Sequence, residues 1–167
     1  TSNIIVEIQK VLEGNDAGFR KLPGTTLKNA STGETIYTPP QDIKDIKRLM
    51  SNLEKFINDS SVCDYDPLVK MAMIHYQFES IHPFYDGNGR TGRIINILYL
   101  IQEGLLTVPI LYLSNYIIKN KSDYYRLLQQ IRVKESWEEW LLFMINGIHL
   151  TSRETIELIG QIKALMQ

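Results

Sequence analysis

Apolar residues recur at helical spacing along most of this chain. The first series runs through residues 4–12 and stops at Gly14, which predicts an N-terminal helix that ends there. A second apolar face continues as far as Ile57, and for this helix we expect Thr38 as the N-cap and Pro39 in the first turn. The pattern is therefore helical on both sides of a short interruption.

The second half of the chain is also predicted to be helical. A helix that opens at Pro67, "PLVKMAMIHYQFESI", is apolar nearly all round, which is typical of a helix in the middle of a bundle. The following helix is expected to end at Gly104, and "ILYLSNYIIKN" predicts another. Ser122 is the expected cap of a further helix, and Ser136 with Glu139 predicts a capping box for a long last one.

Between the first two helices the composition changes to Thr, Gly and Pro. There "TTLKN" and "ETIYT" flank "ASTG", which predicts a β-hairpin over about residues 25–38. The sequence shows no internal repeat or low-complexity linker. We therefore predict an all-α fold of about seven helices with one β-hairpin, in a single domain over residues 1–167.

Composition narrows the setting. With 167 residues, 44% hydrophobic and 22% charged residues and a net charge of −1, the chain suits one globular domain, and we expect no nucleic-acid partner, since any basic site must be local. Its most apolar segment is broken by polar residues, Gly104 and Pro109, so we expect core helices there and no membrane span. A single cysteine, Cys63, excludes an internal disulfide and favours the reducing cytoplasm.

Candidate chemistry lies in "IHPFYDGNGRTGR", residues 81–93. Gly87 and Gly89 allow successive backbone N–H groups to point to one side, and the next helix adds its own free N–H groups. Arg90 and Arg93 then follow at the start of that helix, where each cation opposes the helix dipole by ~0.3–1 kcal/mol. An anion such as a polyphosphate would satisfy all of these groups together.

Two further side chains complete this candidate site. Asp86 would repel phosphate unless Mg²⁺ bridged them, and Mg²⁺ is commonly held by one or two carboxylates and phosphate oxygens. A calcium loop is excluded, because its sixth and twelfth positions would be Thr91 and Ile97. His82 precedes the loop and can accept a proton near neutrality.

The string "HPFYDGNGR" followed by "TGR" resembles the HPFx(D/E)GNGRxxR motif of Fic-domain proteins, with every specified position filled. The segments "HYQFESIHPF", "NASTGETIYTPP" and "KNKSDYYRLLQQIR" are also similar to Fic proteins, so the resemblance covers most of the chain. Proteins of this family are mainly helical. They usually transfer AMP from ATP to a hydroxyl group of a target protein and release pyrophosphate.

The resemblance implies a role for each matching position. His82 would deprotonate a Tyr, Thr or Ser hydroxyl, and Asp86 would bind Mg²⁺. Roles in ATP binding are implied for Gly87, Asn88, Gly89, Arg90 and Arg93. The hairpin around residues 25–38 resembles the flap on which an extended target segment docks by strand addition. Self-modification and homo-oligomers are compatible with this assignment.

The chain departs from the family pattern at the inhibitory motif, which restrains the activity of many Fic proteins. Many Fic proteins carry an inhibitory (S/T)xxxE(G/N) motif whose glutamate pairs with the second arginine, here Arg93. In "QKVLEGN", Gln9 replaces the Ser or Thr, so we interpret Glu13 and Gly14 as a helix end and not as an inhibitory motif. The string "TSRETIELIG" does not fit either. We expect the restraint upstream of Thr1 or from a partner, and more self-modification here than in a longer form.

Other activities remain open from the sequence. Doc-like relatives have Lys at the position of Gly89 and transfer a terminal phosphate, so Gly89 favours AMP transfer. Other family members move different nucleotide-linked groups or remove AMP. A nucleotide-binding module without turnover is the alternative of another class. Tyr124 and Tyr125 are left outside the site, because aromatic residues at helical spacing are more often core.

Overall fold

A computed structural model describes residues 1–29 and 32–166. Within these residues it contains seven α-helices and one antiparallel two-stranded hairpin. The elements are α1 Ser2–Glu13, β1 Leu27–Lys28, β2 Thr35–Tyr37, α2 Ile43–Asn58, α3 Pro67–Ile81, α4 Asn88–Gln102, α5 Leu113–Lys119, α6 Lys121–Lys134 and α7 Trp137–Leu165. The predicted all-α class with one hairpin is confirmed.

Helix α3 is the centre of the fold, as its all-round apolar sequence predicts. It packs against α2, α4 and α7. Met71, Ile74 and Phe78 on α3 have no solvent-exposed surface. On the α7 side, the buried Trp140 indole N–H donates to the Ala72 carbonyl at 2.9 Å, so the apolar packing also satisfies the polar atom of its largest side chain.

Two predicted helix starts are wrong. Helix α2 begins at Ile43, and its N-cap is Asp42, whose Oδ1 accepts from the Lys44 N–H at 2.8 Å. Thr38 and Pro39 stay outside, because a residue before a proline avoids helical backbone angles and each of them precedes one. Similarly α6 begins earlier than Ser122, with Asn120 at its N-cap.

The predicted capping box of α7 is also wrong. Ser136 does occupy the N-cap position, but its side chain makes no capping hydrogen bond. Glu139 instead pairs with Arg126 of α6 at 3.3 Å. The start of α7 is therefore tied to α6 through side chains, and the buried Trp140 and Met144 fix the helix against the core.

The hairpin is anchored on the end of α3. Its register pairs Leu27 with Tyr37, and an irregularity follows in the ladder. The Tyr37 hydroxyl donates to the Ser80 carbonyl at 2.9 Å, and the Arg132 guanidinium lies 3.8 Å from the centre of the Tyr37 ring. In the predicted "ASTG" turn, residues 30 and 31 lie outside the described residues.

The apolar segment after the candidate loop forms two helices, as predicted. Helix α4 stops at Gln102, Gly104 takes a left-handed backbone with φ of 72°, and α5 follows at Leu113. In the described part of the chain, no helix combines the length and apolarity needed to span a bilayer.

Candidate active site

His82 stands where α3 ends. It is the C-cap residue and adopts a left-handed backbone conformation, with φ of 49° and ψ of 58°. Residues other than glycine seldom do so. The chain then turns inward, because Phe84 is fully buried and its ring packs against Phe19 at 5.4 Å between centroids. This geometry carries the backbone directly from His82 into the anion-binding loop predicted from the sequence.

Asn88 closes that loop. Its Oδ1 accepts from the Phe84 N–H at 2.9 Å, and its Nδ2 donates to the Phe84 carbonyl at 2.9 Å. The side chain is thus committed to the loop itself, which leaves the backbone N–H of Asn88 as its group for an anion. Gly87 precedes it with φ of 83°, a conformation that favours glycine. Helix α4 begins here, so its first N–H groups lack intrahelical acceptors.

The two arginines differ in their surroundings. Arg90 has a side chain that is 50% exposed, at the mouth of the loop. Arg93 is half-buried and its Nε donates to Ser114 Oγ of α5 at 2.9 Å. Both lie in the first turns of α4, as predicted. Arg93 faces the interior of the site, and Arg90 faces the side from which α1 approaches.

Glu13, the last residue of α1, enters the same loop. Its Oε1 lies 2.5 Å from Arg90 Nη2, and its side chain is only 13% exposed. The carboxylate rests directly on Gly87, where a Cβ atom would overlap with Oε1. One helical turn earlier, the buried Gln9 side-chain amide donates to the Asp86 carbonyl at 3.4 Å. The chain therefore supplies a carboxylate of its own at the predicted anion site.

This contact corrects the interpretation made from the sequence. Glu13 does end α1 and Gly14 follows in a left-handed conformation with φ of 63°, so the predicted helix end is confirmed. The interpretation is nevertheless incomplete, because the Glu13 side chain lies in the anion site. The mismatch at Gln9 was misleading, since its amide still contacts the loop. The arginine that Glu13 contacts is Arg90, whereas the resemblance implied Arg93.

A cavity of about 860 Å³ opens beside the loop, between the hairpin and helices α5 and α6. His82, Gly89 and Arg93 line its polar end. Aliphatic and aromatic side chains line much of the remainder, among them Leu27, Ile36, Ile117, Tyr124, Tyr125 and Leu128, together with polar groups such as Lys28, Lys121 and Ser122. A largely apolar wall with a few charged groups is typical of a site for a small organic ligand.

Glu79 is a member of the cavity wall that the sequence analysis missed. It lies on α3 one turn before His82, and its Oε1 is buried with no hydrogen-bond partner within the described residues. Burial raises the pKa of Glu79 to about 7, although Arg93 and Arg132 act in the opposite direction. The signal was present: a single carboxylate within an apolar helix, three positions before the candidate base.

The surroundings of His82 keep its ring neutral. The pKa of His82 is lowered to about 4, mainly by burial and also by the charges of Arg20 and Arg132, against the opposing effects of the Glu79 backbone and Asp86. In the described residues Nδ1 has no hydrogen-bond partner. A neutral imidazole in this cavity can accept a proton.

Asp86 offers a single carboxylate next to the loop. Its Oδ1 accepts from the Gly87 N–H at 2.7 Å. Among the residues that the structure describes, no three His, Cys, Asp or Glu side chains come together as a metal site. One carboxylate beside the predicted anion-binding loop nevertheless fits Mg²⁺, which commonly combines one or two carboxylates with phosphate oxygens and water.

His75 has a structural environment. It is fully buried, and hydrogen bonds of 3.0 Å join its ring to the Tyr124 hydroxyl and to Asn96 Nδ2. Burial lowers the pKa of His75 to about 4. Because Tyr124 also lines the cavity, this network fixes part of the cavity wall. Tyr124 therefore belongs to both the core and the site.

Sequence comparisons agree with the motif. The model of the Fic/DOC family matches residues 1–100. Protein adenylyltransferase fic-1 of Caenorhabditis elegans is 32% identical over 79 residues, which are 47% of this chain and 14% of that protein. Protein adenylyltransferase Fic of Aedes aegypti is 38% identical over 60 residues, or 36% of this chain and 12% of that protein. The chain thus matches a small part of the length of these relatives.

Solved structures share the fold. A Fic family protein from Desulfovibrio desulfuricans G20 superposes with a TM-score of 0.79 at 24% identity, over 95% of this chain and 47% of that one. Residues 134–508 of Fic-1 from C. elegans superpose with a TM-score of 0.67 at 22% identity, over 98% of this chain and 44% of that one.

Proposed function

Because the chain belongs to the Fic/DOC family, we propose that it is a protein adenylyltransferase. It transfers AMP from ATP to a Tyr, Thr or Ser hydroxyl of a target protein and releases pyrophosphate. The observation that carries this proposal is the convergence of His82, Gly89 and Arg93 on one cavity of about 860 Å³. That cavity combines a neutral base, an anion-binding helix start and an apolar wall.

The triphosphate binds at the start of α4. Free N–H groups of its first turn receive the phosphates nearest the sugar, and Arg90 and Arg93 neutralise the outer ones. The contact between Arg90 and Glu13 at 2.5 Å supports this assignment, because it demonstrates that an anionic group fits there. The adenine ring lies against the apolar wall that α5 and α6 provide.

The transfer step requires little covalent work by the protein. The target hydroxyl loses its proton to His82, and its oxygen attacks the α-phosphorus. The bond from that phosphorus to the β-phosphate oxygen breaks, and pyrophosphate leaves. Negative phosphate charge beside His82 raises its pKa from the low value of the free site, which makes the imidazole a better base once ATP is bound.

Asp86 would hold Mg²⁺ at the phosphates. When bound, the ion supplies charge neutralisation to the phosphate oxygens. The target docks on the hairpin around residues 25–38, where an extended segment can add to the exposed strand edge. The anchoring of Tyr37 to Ser80 holds that edge close to His82.

Glu13 restrains the reaction in this chain. Its carboxylate and an ATP phosphate would compete for Arg90 and for the surface of Gly87. This restraint comes from α1 itself, so neither an upstream segment nor a partner is required for it. From the sequence we expected more self-modification in this chain than in a longer form. Because Glu13 competes with ATP for Arg90, we now expect that difference to be smaller while Glu13 stays in place.

The test is incorporation of AMP. Purified chain is incubated with Mg²⁺, ATP and candidate target proteins, and intact masses are measured. An increment of one AMP supports the proposal. A phosphate increment favours terminal phosphate transfer. ATP binding with no increment in any form, including Glu13→Gly, favours a binding module.

His82→Ala is the decisive variant. It should bind ATP like the wild type and lose incorporation, because the phosphate ligands remain while the base is gone. His149→Ala is the matched control, since His149 is exposed on α7. Incorporation that persists in His82→Ala would remove His82 from the proposed role.

A further inference from the structure

Arg20 is a charged side chain with no exposed surface. Its Nε donates to the His82 carbonyl at 2.8 Å, and its Nη2 donates to the Ile81 carbonyl at 3.3 Å and to the Pro40 carbonyl. Its backbone N–H donates to the Pro83 carbonyl at 2.9 Å. Most of these acceptors belong to three consecutive residues around the proposed base.

The partners of Arg20 are unusual for a buried cation. A buried charge is normally paired with an opposite charge. Within the described residues, no carboxylate lies within ion-pair distance of Arg20. Two of the carbonyls that its guanidinium binds, those of Ile81 and His82, lie at the end of α3, where carbonyls lack intrahelical donors and carry the negative end of the helix dipole. Arg20 therefore caps the helix end at which His82 stands.

The backbone of His82 needs such support. Its left-handed conformation, with φ of 49°, is strained for a residue other than glycine and persists only where neighbours enforce it. The hydrogen bond to the His82 carbonyl fixes the peptide plane immediately after the ring-bearing Cα. The Pro40 contact adds the segment after β2 to the same guanidinium.

We infer that Arg20 is a positioning residue for the proposed transfer reaction, holding the His82 imidazole toward the cavity without touching the substrate itself. The kinetic part of this inference rests on the proposed function. Arg20 lies in the segment after α1. Its guanidinium connects this segment to Pro40, which follows the hairpin, and to the end of α3 at Ile81 and His82. A single side chain thereby keeps these three parts of the site in register.

The first test separates positioning from substrate binding. Arg20→Met removes the charge and the donors, and we expect kcat to fall by about 100-fold, the cost of misplacing a reacting group by about 1 Å. KM for ATP should change by less than about threefold, because the phosphate ligands lie on α4. Arg48→Met is the control, since Arg48 is exposed and pairs with Asp45. An unchanged kcat, or a loss confined to KM, overturns the inference.

Arg20→Lys guards against a folding defect in the Met variant, and circular dichroism verifies the fold of both. Lysine keeps the charge but lacks the rigid planar fork of donors with which the guanidinium binds the Ile81, His82 and Pro40 carbonyls. We therefore expect an intermediate kcat in Arg20→Lys at unchanged helix content. Wild-type kcat in this folded variant would contradict the inference.

The second test needs neither ATP nor a target. The ring signals of His82, assigned with His82→Asn, are followed by NMR as the pH changes. Charges facing the ring come from Arg20, Arg132 of α6 and Asp86 of the loop. Loss of the Arg20 charge should move the His82 titration to higher pH, whereas Arg20→Lys should leave it close to the wild type. Identical titrations in Arg20→Met and wild type would overturn the inference, even if no adenylyl transfer were ever detected.

Discussion

The Glu13 carboxylate lies 2.5 Å from the Arg90 guanidinium and rests on Gly87, at the start of α4. The two residues are 77 positions apart in the chain. The contact places an anion of the protein among the groups that we assign to ATP phosphates. In the proposed function, an ATP phosphate at Arg90 would compete with this ion pair.

Glu13→Gly should release the phosphate site. We expect the Kd for ATP to fall by about tenfold, equivalent to about 1.4 kcal/mol, because the nucleotide no longer displaces a partly buried ion pair. Calorimetry measures the affinity, and AMP incorporation should rise in parallel. Glu7→Ala is the control for loss of a carboxylate from α1, since Glu7 is exposed and its ion pair within the described residues is with Lys10 at 4.0 Å. Equal affinities in the two variants would contradict the restraint.

Arg93→Ala should weaken ATP binding. A charged hydrogen bond to a phosphate contributes about 1.5–3 kcal/mol, so KM for ATP should rise by about 10- to 100-fold. Steady-state kinetics at saturating target measures the change. Arg126→Ala is the control, because Arg126 is about half-exposed and pairs with Asp123 and Glu139 away from the cavity. Similar kinetics for the two variants would exclude Arg93 from the phosphate site.

Glu79 should make the free energy of unfolding depend on pH. Its pKa is raised from 4.5 to about 7, so between these values the folded protein holds a proton that the unfolded chain releases. Stability from this group is complete below pH 4.5 and is lost as pH rises through 7, by about 3 kcal/mol in total. Glu79→Gln should abolish this decline in urea titrations at several pH values.

His75 and His82 change the pH dependence of the free energy of unfolding in the opposite direction, and both are present in the wild type and in Glu79→Gln. The pKa values of His75 and His82 are lowered to about 4, so their contribution is present above pH 6.5 and lost as pH falls through 4. The difference between wild type and Glu79→Gln therefore isolates the carboxyl group. Glu157→Gln, an exposed change on α7, should retain the wild-type profile. A parallel profile in Glu79→Gln would be incompatible with a protonated Glu79.

Two glycines of α7 should respond oppositely to alanine. A Cβ at Gly147 would lie 2.6 Å from Tyr116 Cδ1, so Gly147→Ala should lower the free energy of unfolding by about 1–3 kcal/mol. At Gly160 nothing lies within 4 Å, and Gly160→Ala should raise it by about 0.5–1 kcal/mol through helix propensity. Chemical denaturation of the two variants measures both, and a loss at Gly160 would contradict the open surroundings found there.

The fold could be predicted where the signal is local. The apolar faces of α1 and α3 and the glycine-rich loop depend on residues close together in sequence, and their positions agree with the structure. Helix starts were less predictable. At α2 the prolines at 39 and 40 delay helical geometry until Asp42 can cap it, and at α7 the expected partner Glu139 binds Arg126 instead.

The placement of residues 82–93 on one helix end, loop and helix start could be predicted, because these residues form one continuous motif. The residues that support this candidate site could not be predicted. Arg20 and the His82 carbonyl are 62 positions apart, and no periodicity or turn signal near Arg20 indicates that its side chain crosses the fold. Glu13 was noticed in the sequence, but the inhibitory motif was rejected because Gln9 stands where the motif has Ser or Thr. The contact of Glu13 with Arg90 depends instead on how α1 packs on α4.

Glu13 is the final residue of its helix, followed by a left-handed glycine. Helix ends fray, and the opening of a terminal turn costs far less than global unfolding. A helical turn forms and melts in about a microsecond or less. In the proposed function, the Glu13 restraint would therefore be a rapid equilibrium, in which access of ATP to Arg90, and with it turnover, scales with the fraction of time that the last turn of α1 is open.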